Sequence, residues 1–171
     1  MKLESSRLNL QMLSYAQLLQ YLQLDFSLEK ALELKHYPRT MSVALIEAFH
    51  ESILPAVADA TIELPFVTLW TIIDKASKTM VGDLCFKGMP NEAGEVEIGY
   101  GTYPSFEHQG YMTEAVNTIC KWALQQPKVM TVIAETTNDN AASHRILLKN
   151  NFQQYKQVDK MLWWRLNKTT S

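Results

Sequence analysis

One unit constrains the fold more than the rest of the chain: residues 95–136 read as strand, glycine turn, amphipathic helix and strand. Glu95 to Tyr103 has the pattern of a strand. Thr113 to Gln126 sets Ala115, Val116, Ile119, Cys120, Ala123 and Leu124 along one helix face, with Glu114, Asn117, Lys121 and Gln125 opposite. Pro127 marks the end of that helix. Val129 to Thr136 is apolar on both faces apart from its threonines and Glu135, the pattern of an interior strand. A strand–helix–strand connection crosses over right-handed, so its two strands run parallel as neighbours or near-neighbours.

Around this unit the chain reads as antiparallel sheet and helices. Arg7 to Met12 alternates polar and apolar residues, a strand signal. Ser14 caps a helix that runs through about Tyr21. Ser27 to Ala60 keeps a helical pattern interrupted at Pro38 and Pro55, which predicts two or three helices. Val67–Asp74, Thr79–Lys87 and Glu95–Tyr103 form an antiparallel meander. A helix over Ala141–Asn150 ends at Asn151, a residue suited to the left-handed position past a helix end, and Phe152 makes the apolar contact that follows. Strands near Gln154–Asp159 and Met161–Leu166 close the order. Trp163 and Trp164 face opposite sides of the last strand, one for the core and one as a candidate pocket wall. The fold class is mixed α/β, with a mostly antiparallel sheet, one parallel crossover pair and flanking helices. At 171 residues, without repeats or a linker, a single domain over 1–171 is expected.

Composition excludes several function classes. Sixteen basic residues stand against 18 acidic ones, a net charge of -2, so there is no electrostatic footprint for nucleic acid or an anionic membrane. No apolar run approaches the roughly 18–20 residues of a spanning helix. Met1 to Arg7 lacks the apolar segment of a signal peptide, and a cytoplasmic location is expected. Cys85 and Cys120 read as small buried residues rather than a bridge. The four histidines show no metal-ligand spacing with each other or with cysteine, so no metal site is expected.

The six glycines all lie between Gly82 and Gly110. Gly88 and Gly94 bracket the turn-like Met89-Pro90-Asn91. Gly99 and Gly101 share a strand face with Glu97 and Tyr103, so a carboxylate stands beside two missing side chains. That face suits a ligand lying against bare backbone, or close packing against a helix. Pro104 to Thr113, with Gly110, feeds the amphipathic helix. The start of that helix is either an anion site of unpaired N–H groups or an ordinary capped end with Thr113 as N-cap. Glu135 to Ser143 is a second strand end running into a helix start, where Asn138 and Asn140 are expected caps. Two adjacent parallel strands ending this way bring two polar turns to one sheet edge, where open sheets bind ligands.

Three segments together resemble the GNAT superfamily of N-acyltransferases that use acetyl-CoA. They are Glu97-Ile98-Gly99-Tyr100, then Gln109-Gly110-Tyr111-Met112-Thr113-Glu114-Ala115, then Asn140-Ala141-Ala142-Ser143 with Leu147-Leu148-Lys149-Asn150-Asn151-Phe152. Leu3-Glu4-Ser5-Ser6-Arg7-Leu8 is similar to the branch that acetylates ribosomal-protein amino termini. The family's phosphate loop carries Arg or Gln where this chain has Glu107, and a small residue where it has Met112. The resemblance implies acetyl-CoA as co-substrate and direct transfer to a primary amine of a small molecule or a protein, by a monomer or homodimer. It implies Glu97 as the base, with Glu135 second to it, and Ser143 as the partner of the leaving sulfur. It implies Gly101, Thr102 and Tyr103 along pantetheine, and His108, Gln109, Gly110, Tyr111, Met112 and Thr113 around the pyrophosphate. Asn140 would hold the pantetheine arm or a water, and Leu147 stands where many members carry a tyrosine acid. The alternative is a GNAT-fold binding module without turnover, which Glu107 and Met112 motivate.

Overall fold

The computed structural model describes residues 1–169. An eight-stranded sheet runs through it in the order β1-β2-β3-β4-β5-β6-β8-β7. The strands are β1 (Lys2–Glu4), β2 (Leu8–Met12), β3 (Leu69–Asp74), β4 (Thr79–Phe86), β5 (Glu95–Thr102), β6 (Thr131–Thr137), β7 (Gln153–Val158) and β8 (Met161–Asn167). Every pairing is antiparallel except β5 with β6. The expected mixed α/β class, meander and single parallel pair are therefore present. β1 was not expected; it pairs with β2 from Lys2↔Gln11 to Glu4↔Asn9.

The parallel pair is short. Its register runs only from Glu95↔Thr131 to Glu97↔Ile133, although β5 continues to Thr102 and β6 to Thr137. The two strands part beyond Glu97, and the sheet opens there.

Each sheet face has its own core. On one face α5 (Tyr111–Gln125) lays Met112, Ala115, Val116, Ile119, Cys120 and Ala123 against Val96, Ile98, Val132 and Ala134. The helix face read from the sequence is this one. Trp164 packs into this core, whereas Trp163 is only half-buried under the Lys156 ammonium. On the other face Leu69, Ile73 and Met80 meet Leu18 and Tyr21 of α1 (Tyr15–Gln23), Leu28 of α2 (Ser27–Ala31), and Phe49 and Ile53. Each such buried side chain contributes about 1.5–3 kcal/mol of transfer free energy.

The helical stretch before the meander departs from its expected outline. α1 starts as expected, with Ser14 and Gln17 forming a reciprocal capping box. Residues 32–42 are irregular rather than helical. α3 (Val43–Ala48) passes through a π turn over Phe49–Ile53 into α4 (Leu54–Ala58). Pro55 therefore does not break this run: the wider turn before it absorbs the missing N–H. Within this layer Arg39 and Glu29 pair at 3.2 Å, each side chain only 2% exposed.

Candidate active site

A cleft of about 460 Å³ lies beside the end of β5, where β5 has parted from β6. Three segments wall it. Tyr100, Gly101 and Thr102 come from β5, Phe106, Glu107, His108 and Gly110 to Thr113 from the turn and first residues of α5, and Asn140 with Ser143 from the start of α6 (Ala141–Lys149). The end of β5 and the N-termini of α5 and α6 thus meet at one place.

Gly110 builds the turn. It takes φ +78° and is the N-cap of α5, with no side-chain cap on the helix. A left-handed backbone is the conformation glycine adopts without a Cβ penalty. The alternative with Thr113 as N-cap is corrected by this geometry, since the helix begins at Tyr111 and Thr113 lies inside its first turn. The first-turn N–H groups have no intrahelical partner, which is the local chemistry of an anion site. Neighbouring side chains hold the turn. Arg7 Nη1 donates to the Gln109 carbonyl at 3.1 Å, and Arg7 Nε donates to Glu114 at 2.7 Å. Burial works to raise the Glu114 carboxyl, but the Ser5 hydroxyl and Arg7 outweigh it and hold it below the usual range. Asn150 Nδ2 donates to the Thr113 carbonyl at 3.1 Å and ties α6 to this first turn.

The second helix start is also fixed from below. Asn140 accepts from the Ser143 N–H at 3.1 Å, so it is both a cap and a cleft residue. His144 Nε2 lies 3.1 Å from Thr136 Oγ1 and 2.9 Å from the Thr137 carbonyl. Trp164 Nε1 donates to the same Thr136 oxygen at 3.0 Å. The Tyr100 phenol is pushed up to about 12 by burial, with the Ser143 hydroxyl beside it pulling the other way.

The expected site residues divide. Gly101, Thr102, His108, Gly110, Tyr111, Met112, Thr113, Asn140 and Ser143 all line the cleft. Gln109 is beside it, with its amide donating to the Ser105 carbonyl at 3.2 Å. Tyr103 lies on the other side of the strand end and lines a second cavity. Glu97 does not line the cleft; its carboxylate is engaged by Lys87, and its side chain is 27% exposed. Met112 turns its side chain into the core against Gly82 and leaves the turn uncrowded. Sequence reasoning passed over Arg145 and Lys149. They follow Ala142 at helical spacing on the cleft side of α6, with Ile146 between them. Besides His108, the charged side chains of the cleft are Arg145 and Lys149 against Glu107, a cationic balance.

The profile of the acetyltransferase (GNAT) domain family matches residues 7–153. The chain belongs to the GNAT acetyltransferase family. GNAT proteins are acyltransferases, the class that the sequence resemblance implied. YjdG of Bacillus subtilis, an uncharacterized N-acetyltransferase, is 36% identical over 83 residues. YoaA of the same organism, also an uncharacterized N-acetyltransferase, is 27% identical over 85 residues. These matches cover 48% and 50% of this chain, and the chain spans about half the length of each relative, 49% and 48%. Among solved structures, RimL, a ribosomal alpha-N-protein acetyltransferase in complex with coenzyme A, aligns with a TM-score of 0.68 at 16% identity, over 98% of both chains. A ribosomal-protein alanine acetyltransferase from Vibrio fischeri aligns at 0.67 and 12% identity, over 98% of this chain and 97% of that one. An acetyltransferase of the GNAT family from Bacillus anthracis aligns at 0.66 and 14%, over 98% and 99%. At such identities the likeness to the ribosomal-protein branch is one of GNAT fold.

Proposed function

We propose that this GNAT protein transfers the acetyl group of acetyl-CoA to a primary amine of a small molecule or a protein. The observation that carries the reading is the uncapped start of α5 at Gly110, opening into a cleft whose charged side chains are mostly cationic. A pyrophosphate would take the first-turn N–H groups, and Arg145 and Lys149 would neutralise further phosphate charge. The bare β5 backbone at Gly101 and Thr102 would run beside pantetheine. A Cβ at Gly101 would meet no atom within 4 Å, so a ligand can approach that backbone closely. Asn140 and Ser143 sit at the far wall, where Ser143 would donate to the departing sulfur. Leu147 is fully buried and takes no part in proton transfer. Placement in the cytoplasm goes with this reading, and among the described residues no helix is long and apolar enough to cross a membrane.

A second reading, a GNAT-fold module that binds without turnover, is favoured by one observation: Glu107 lines the cleft beside the turn. Calorimetry with acetyl-CoA followed by a thiol-release assay over a panel of amines separates the two. Stoichiometric binding with amine-dependent thiol release is expected. Binding without release from any amine would establish the module instead, and no binding would remove both readings.

A further inference from the structure

On the sheet face covered by α1 and α2 lies a buried carboxylate that the transferase reading leaves unused. Asp83 of β4 accepts two hydrogen bonds on Oδ2, from Tyr21 Oη at 2.5 Å and from Tyr103 Oη at 2.7 Å. Its other oxygen, Oδ1, and Oγ1 of Thr71, its register partner on β3, are buried without a well-formed hydrogen bond, though the nearby Thr71 hydroxyl helps to lower the carboxyl. The remaining charged or titratable groups around it are Arg39, from the segment after α2, and Cys85, further along β4. Arg39 stacks over the Tyr21 ring at 4.0 Å and is paired with Glu29 of α2. An asparagine here would accept from both phenols and remove a buried charge. Packing alone therefore gives no reason for an acid.

Its position supplies one. Asp83 stands opposite Gly101 in the β4–β5 register, and Tyr103 follows Gly101 on the same strand face. Gly101 lines the cleft, and its missing side chain leaves open space on the side that Asp83 and Tyr103 occupy. Tyr103 also lines a second cavity of about 290 Å³ with Tyr37, Arg39 and Thr40. The pair thus lies between the cofactor cleft and a separate approach from the α2–α3 side.

We propose that Tyr103 and Asp83 take up the proton of the attacking amine, Tyr103 touching the amine in the gap over Gly101 and Asp83 acting through it as a positioning residue. This rests on the transferase reading. The amine lone pair forms the C–N bond at the thioester carbonyl, and the C–S bond breaks with its electron pair leaving on sulfur. As the nitrogen loses its proton to Tyr103 Oη, the phenol passes its own proton to Asp83 Oδ2. The thiolate then takes a proton from water, Asp83 returns one to solvent, and the products are an amide and a thiol. Burial raises Asp83 from 3.8 to about 6, against the lowering pull of the two phenols. A carboxylate at that value is mostly ionised at neutral pH, yet basic enough to accept a proton in a transition state. Glu97 has no comparable position, being held by Lys87 outside the cleft.

The test measures thiol release by the full chain from pH 5 to 9, with acetyl-CoA and four probes: serine- and alanine-initiated peptides, spermidine and L-lysine. Asp83→Asn is expected to fold, to bind acetyl-CoA within twofold of the parent, to lose about 10²-fold in kcat and to lose the acidic limb near pH 6. Tyr103→Phe, which keeps the ring, is expected to lose kcat similarly and carries the same test if the Asn variant fails to fold. A merely structural Asp83 would leave the limb in place. An Asp83→Asn enzyme with kcat within threefold and an unchanged profile overturns the proposal and leaves the transferase reading standing. The proposal also falls if Glu97→Gln, and not Asp83→Asn, removes the limb. No acetyl-CoA binding, or no thiol release with any probe, overturns both.

Discussion

Replacing Asp83 by asparagine should make the protein more stable at neutral pH, and the gain should vanish in acid. The folded carboxyl sits at about 6 because burial disfavours its ionised form, while the ordinary value is 3.8. Below about pH 3 the group is protonated whether the chain is folded or not, and it exacts no penalty. As pH rises from about 3 through 6 the unfolded chain ionises first, so stability is lost until the folded group has titrated too. The difference of a little over two pH units corresponds to a loss of roughly 3 kcal/mol at pH 7.5. Asparagine does not ionise, and its carbonyl oxygen can accept from both Tyr21 and Tyr103 as Oδ2 does now. Urea unfolding followed by tryptophan fluorescence at pH 4, 5, 6 and 7.5 gives the comparison. The stability difference between variant and parent should grow by roughly 2 kcal/mol from pH 4 to 7.5. A difference that does not change with pH, or a variant less stable than the parent at pH 7.5, would refute the reasoning.

Three further outcomes are expected. Gly110→Val should weaken acetyl-CoA binding at least tenfold, about 1.4 kcal/mol, by calorimetry. It should also lower the melting temperature, because φ +78° is strained for a β-branched residue. Glu107→Gln should tighten acetyl-CoA binding, with a gain that shrinks as salt rises, since Glu107 opposes the cationic residues of the cleft. Arg39→Met should cost about 3–5 kcal/mol in urea unfolding by leaving Glu29 buried and unpaired, and Glu29→Gln in the same chain should recover part of it.

Local chemistry carried the parts of the fold that were legible in the sequence. The α5 stripe, the Ser14 cap and the left-handed Asn151 each depend on a few neighbouring residues, and the structure repeats them. The meander and the parallel crossover followed from connection length and handedness. What escaped depends on distant partners. Residues 32–42 were expected to stay helical on either side of Pro38, yet Arg39 is drawn inward by Glu29 and by the Tyr21 carbonyl at 2.9 Å, and the chain stays irregular. Asp83 reads as one more strand position until Tyr21, 62 residues away, closes over it. In the site, the glycine turn and the Asn140 start were legible as strand-to-helix junctions. Arg145 and Lys149 were not, because helical spacing alone does not tell a cleft from open solvent. The face shared by Glu97, Gly99 and Gly101 was also legible, but the engagement of Glu97 by Lys87 required the β4–β5 register.

The central claim is that the cleft beside the end of β5, with the uncapped α5 at its base, is a coenzyme site. Calorimetric titration of the folded full chain with acetyl-CoA, repeated at low and high salt, tests it most directly. One-to-one binding that strengthens as salt is lowered is the result this account requires. A folded chain that takes up no acetyl-CoA at either salt concentration would contradict it.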